Sequence, residues 1–152
     1  MTELNKESKK IMLWAIKCAE HVLPYFENEN PTDERPRKAL KAARWWTAGK
    51  MKVGEVRRYA LSAHAAARAA KKPEAVYAAR ACGHAAAVAH VLSHAGGVPY
   101  YALKAVESAG GDKDKESAWE MKGLSRQYWE KLKAIMGKKY ERCLHINENI
   151  NA

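Results

Sequence analysis

The chain is poor in phenylalanine, cysteine and acidic side chains, and no stretch alternates apolar and polar residues over a useful length. The missing alternation argues against β-structure. Cys18, Cys82 and Cys143 are odd in number, far apart and in no CxxC pair. A disulfide framework or a thiolate metal site is therefore not expected, and the reading is reduced thiols in a cytoplasmic protein. The first ten residues, MTELNKESKK, are polar, and no apolar run has bilayer length. Neither a signal peptide nor a membrane span is expected. A glycine-rich phosphate loop is absent too, because the Gly-Gly pairs at 96 and 110 read as helix stops. Glu55 and Glu74 both lie near helix starts, where a carboxylate complements the backbone dipole. No pattern of an enzyme stands out, and no cofactor is expected.

Alanine is abundant: 28 of the 152 residues. It is densest in residues 74–95, EAVYAARACGHAAAVAHVLSHA, which hold no Pro, one Gly and only Glu74 and Arg80 as formal charges. Alanine is the strongest helix former, and a helix this poor in charge is buried on most sides. The sequence predicts a central helix over 74–95 with its neighbours packed close. At this length the chain is expected to form one domain, residues 1–152. The fold class is all-α, about six helices, with a structured part over 8–136 and a loosely ordered tail over 137–152.

The other helices follow from period and punctuation. Ser8 reads as the cap of the first, with Ile11, Trp14, Ala15, Cys18, Ala19, Val22 and Leu23 on its apolar face and Pro24 near its end. Asp33 reads as the cap of the second, Pro36 fits its first turn and Gly49 stops it. The third spans about 53–70 and carries a stripe of Ala60, Ala63, Ala67 and Ala70. A fifth runs over about 99–109, and a last, heavily charged helix over about 113–136.

The net charge is +10, and residues 31–72 supply most of it, with 12 Lys or Arg against 3 Asp or Glu. A basic face suits an acidic protein, an anion or nucleic acid, and it also keeps a chain soluble. Two stripes could meet: Arg57, His64 and Arg68 on the third helix, and Tyr77, Arg80 and His84 on the fourth. Together they would line a basic, histidine-bearing groove for a partner or an anion. His90 and His94 stand four apart, so on a continuous helix both rings share one face and could hold a metal ion. The sequence between them, HVLSH, lacks the glutamate of the HExxH pattern. Arg44, Trp45 and Trp46 bring guanidinium and indole together, as single-stranded nucleic-acid binders do.

Three blocks, WAIKCAEHVLPYFE (14–27), DERPRKALKAARWWTAGK (33–50) and ARACGHAAAVAHVLSHAGGVPYYALKAV (79–106), resemble a family of small all-helical prokaryotic immunity proteins of polymorphic-toxin systems. The resemblance implies a non-enzymatic protein that neutralises a toxin domain by binding it, and it brings no catalytic residues. Because this chain is basic, the expected partner is an acidic surface, or a toxin that is not a nuclease. Two other readings stand beside it: a metal- or anion-binding protein using His64, His84, His90 and His94, and a basic nucleic-acid binder. The oligomeric state stays open, a homodimer included.

Overall fold

A computed structural model describes residues 3–136. Among the described residues seven α-helices follow one another: α1 Glu3–Glu27, α2 Arg35–Thr47, α3 Val53–Ala69, α4 Pro73–Ala87, α5 Gly97–Ser108, α6 Lys113–Lys122 and α7 Arg126–Met136. A short 3₁₀ segment, Leu92–Gly96, leads into α5. Among the described residues there is no strand. The fold is all-α. The expected tail over 137–152 and Cys143 lie outside the described residues.

Helix α4 sits at the centre, packed against α1, α2, α3 and α5. Nine of its residues are buried, and apart from Cys82 and Gly83 they are all alanines. Small side chains let the surrounding helices approach at the short end of the usual spacing of about 8–10 Å. Ala60, Ala63 and Ala67 of α3 are buried. The bulk of the core comes from α1, where Ile11, Met12, Ile16, Val22 and Phe26 are fully buried. Large wedges on α1 therefore fill the space that small residues on α3 and α4 leave.

Four boundaries differ from the sequence reading. The central helix ends at Ala87 rather than running to 95. No Gly or Pro stops it there. The chain has to reverse so that α5 can pack back on α4, and β-branched Val91 takes the extended link, φ −144° and ψ 112°. Tertiary packing thus overrides a strong helix propensity. Gly96 and Gly97 accordingly do not end a helix; α5 starts at Gly97. The expected last helix is two, broken at Gly123, with α7 starting at Arg126. Helix α1 begins at Glu3, so Ser8 is inside it, and Pro24 is carried within the helix.

Other stops stand as read. Gly49 has φ +74°, its N–H reaches Trp46 O at 2.9 Å, and Lys50 N–H reaches Trp45 O at 2.8 Å. Gly110, at φ +81°, repeats the pattern after α5. This left-handed closure satisfies the last carbonyls of a helix and favours glycine. At the start of α2 the cap position falls on Glu34, without a side-chain cap bond, rather than on the expected Asp33; Asp33 accepts from Arg35 N–H at 3.1 Å and from the Arg35 guanidinium.

Helices α6 and α7 are fastened through tryptophan. Trp14 of α1 donates to Glu120 O at 2.9 Å, and Trp129 of α7 donates to Met121 O at 3.1 Å. Both acceptors lie in the last turn of α6, where Glu120 O also accepts from Gly123 N–H at 3.1 Å and Met121 O from Leu124 N–H at 3.5 Å. The two indoles meet edge to face at 5.2 Å. An ion pair between Glu7 and Lys131 also joins α1 to α7.

Candidate functional site

The predicted stripes on α3 and α4 do meet. The His64 ring lies over Gly83, so close that a Cβ there would fall 2.6 Å from its Nε2. Arg80 Nη1 donates to His64 Nδ1 at 3.0 Å, which leaves the ring proton on Nε2. His84 meets His64 edge to face with centroids 5.2 Å apart. His84 in turn lies against Gly97, where a Cβ would come within 2.7 Å of its Nδ1. Two glycines, one on α4 and one at the start of α5, thus make room for two imidazoles.

The row continues. His84 and His94 have Nδ1 atoms 3.4 Å apart, so one ring carries the proton that the other accepts. His94 and His90 have centroids 5.4 Å apart. Tyr101 of α5 stacks on His84 at 5.1 Å and on Tyr77 at 6.1 Å. Four imidazoles and two phenol rings thus form one continuous surface across α3, α4 and the turn before α5. Arg57 and Arg68 of α3 are exposed beside it.

Three of these imidazoles, His64, His90 and His94, are shifted toward the neutral form. Burial, then the charges of Arg80, Arg68 and His94, pulls His64 down to about 4. Burial and the nearby His94 and Arg57 lower His90, and burial lowers His94. A neutral imidazole can donate or accept, and a negative group brought close would favour its protonated form.

The metal reading of His90 and His94 loses its geometric basis. His90 lies in the turn after α4 and His94 in the 3₁₀ segment, so they do not share a helix face. Among the described residues no group of three or more His, Cys, Asp or Glu is arranged to hold a metal ion. Of the two histidines outside the row, His21 is elsewhere, on α1 against Glu116 and Trp119, and His145 lies outside the described residues.

The basic excess divides in two. On α2, Arg35 pairs with Asp33, Arg37 with Glu27 and Arg44 with Glu20. On α3, Arg57, Arg58 and Arg68 make no ion pair among the described residues. Leu61, between them, is 57% exposed. Within the basic segment 31–72, the guanidiniums without a carboxylate partner are therefore those of α3. The Arg44–Trp45–Trp46 cluster offers less than its sequence promises. Arg44 is tied to Glu20, and Trp46 packs partly against the core.

The sequence reading missed Tyr101, Gly83 and Gly97 as parts of this surface. The tyrosine pair at 100–101 was a visible signal. The glycines carried none, since their role exists only once the helices are packed.

The sequence profile of a family described as "Imm-5 like putative immunity protein" matches residues 2–127. The chain belongs to this family. The match takes in α1 to α6 and all of the histidine surface, and it stops as α7 begins. No curated protein and no solved structure matches the chain. Membership in the family fits the general role of an immunity protein and a protein as partner. None of the described helices is long and apolar enough to cross a membrane.

Proposed function

We propose that this chain is a non-enzymatic immunity protein that neutralises a toxin domain by covering an acidic surface on it with the α3–α4 face. The observation that carries the reading is a row of imidazoles, His64, His84, His94 and His90, flanked by the exposed guanidiniums of Arg57 and Arg68. Family membership supports a protein partner. The chemistry of the row supports an acidic one. Carboxylates would pair with the arginines, and their approach would draw protons onto the imidazoles and strengthen the contact. Exposed Leu61 and the tyrosines supply apolar area beside the charges, as interface centres need. The site residues of the proposal are Arg57, His64, Arg68, Tyr77, Arg80 and His84, with Tyr101 added.

The test is co-purification from the native host, followed by growth protection against the captured toxin. Arg57→Glu with Arg68→Glu should abolish capture and protection while the circular dichroism spectrum stays that of the parent. Undiminished protection by that folded variant would refute the assignment of this face. Capture of nucleic acid instead, with affinity falling steeply as salt rises, would move the chain to another class.

A further inference from the structure

The central helix carries a single guanidinium. Arg80 is the only Lys or Arg of α4, and the buried Ala79 and Ala81 stand on either side of it. Arg80 itself is half-buried. Among the described residues no carboxylate pairs with it. A charge withdrawn from water without a counter-charge is costly, unlike the solvated arginines of an outer helix face.

The neighbours of Arg80 aim it without offsetting it. Its Nη1 donates to His64 Nδ1 at 3.0 Å, and a ring nitrogen that accepts carries no proton. That ring is itself seated by Gly83, which leaves the room for it. The next charge along the seam is another cation, Arg68 of α3, and both arginines act on His64. The guanidinium can be reached from outside. Among the described residues Glu120 Oε1 is the one buried side-chain nitrogen or oxygen without a partner, so the Arg80 nitrogens that make no bond keep contact with solvent.

The shape of the group says what fits it. A guanidinium presents parallel N–H donors that match the two oxygens of a carboxylate. Half-burial weakens screening by water, so a pair formed at Arg80 is worth more than one formed at exposed Arg57 or Arg68. Arginines in partly desolvated seams commonly carry the binding energy of an interface, whereas exposed charges around them chiefly set the rate of encounter.

We propose that Arg80 is the anchor of the α3–α4 face, oriented by His64 to grip one aspartate or glutamate side chain of the protein partner. The proposal rests on the function proposed above and names the group on the partner that this face recognises.

The experiment titrates the full chain at pH 7 and constant ionic strength with an acetylated and amidated Ala-Glu-Ala peptide, with its Ala-Gln-Ala counterpart and with dimethyl phosphate. The readouts are the side-chain N–H resonances of Arg80 and the ring resonances of His64. The Glu peptide should give a saturating shift at Arg80 and the Gln peptide none. The charged or titratable groups around the His64 ring are Arg68 on α3, Arg80 and His84 on α4, and His94 before α5. A carboxylate at Arg80 offsets the positive field there, so the ring, which titrates at about 4 in the free chain, should titrate higher with the Glu peptide bound. Arg80→Lys keeps the charge and loses the fork, and it should weaken the Glu peptide about tenfold.

An equal response to the Glu and Gln peptides would overturn the proposal, as would unchanged binding by a folded Arg80→Lys chain. Tighter binding of dimethyl phosphate would overturn the carboxylate and assign the anchor to a phosphate. Should Arg80→Lys not fold, the two peptides on the parent chain decide. None of these probes is a toxin, so their failure leaves the protection assay to judge the wider reading by itself.

Discussion

His64 is held by three neighbours at once, Gly83 beneath, Arg80 at its Nδ1 and His84 at its edge. A methyl group at residue 83 has to displace the ring. Gly83→Ala gains about 1 kcal/mol of helix propensity, which offsets part of the packing loss. Its clearer effect is on titration. The expelled ring leaves Arg80 and enters water, so its pKa should rise from about 4 toward the ordinary 6.5. Histidine resonances followed over pH measure this directly, and an unmoved His64 would show that the ring does not need the glycine. The same lowered pKa has a consequence for stability. The unfolded chain takes up a proton at His64 near 6.5 and the folded chain only near 4, so stability is lost as pH falls through that window. Glu120 acts in the opposite sense. Its raised pKa lets the unfolded chain ionise first, so its contribution is present at low pH and lost as pH rises above 4.5. Glu120→Gln should therefore stabilise the chain at pH 8, by about 1–3 kcal/mol, and change little at pH 4. Urea unfolding at both values checks it.

At the level of elements, α6 depends on its ends more than on its faces. Asp112 Oδ1 accepts from Asp114 N–H at 3.0 Å and from Lys115 N–H at 3.2 Å. Asp112→Ala should cost about 1 kcal/mol. Hydrogen exchange should show faster opening in the first turn of α6 and unchanged protection in α4. Equal protection in α6 would mean that the two tryptophans at its other end suffice. The helices were readable where period and punctuation agree. Gly49 and Gly110 announce their stops, and the alanine stripes announce α3 and α4. The break after Ala87 was not readable, because nothing between Ala87 and Val91 disfavours a helix strongly and only the return of α5 requires it. The break at Gly123 was readable: a glycine, and two residues later Ser125 ready to start the next helix. The meeting of the α3 and α4 stripes followed from spacing alone. The buried acids of α6 did not, since Glu116 and Glu120 at i, i+4 look like any solvated face.

For the whole molecule, charge is unevenly available rather than merely abundant. Acids of α1 and the loop after it neutralise α2 and Lys72, through Glu20, Glu27 and Glu29. That leaves the arginines of α3 as the guanidiniums of segment 31–72 that no carboxylate offsets. An acidic partner should therefore associate quickly at low salt and more slowly as ionic strength rises, about ten-fold or more between the extremes. Dissociation should change far less. Stopped-flow association at several salt concentrations measures both rates. Arg57→Glu should lower the on-rate, whereas Arg37→Glu, whose parent residue is already paired with Glu27, should lower it less.

The tie between α1 and α7, made by Glu7 with Lys131 and by Trp14 with Trp129, brings the two ends of the described chain to one place. The connectivity could therefore be rewired. A permuted chain, opened at the exposed Gly110–Gly111 corner and linked from the end of α7 to the start of α1, would leave every described helix uncut and the histidine surface whole.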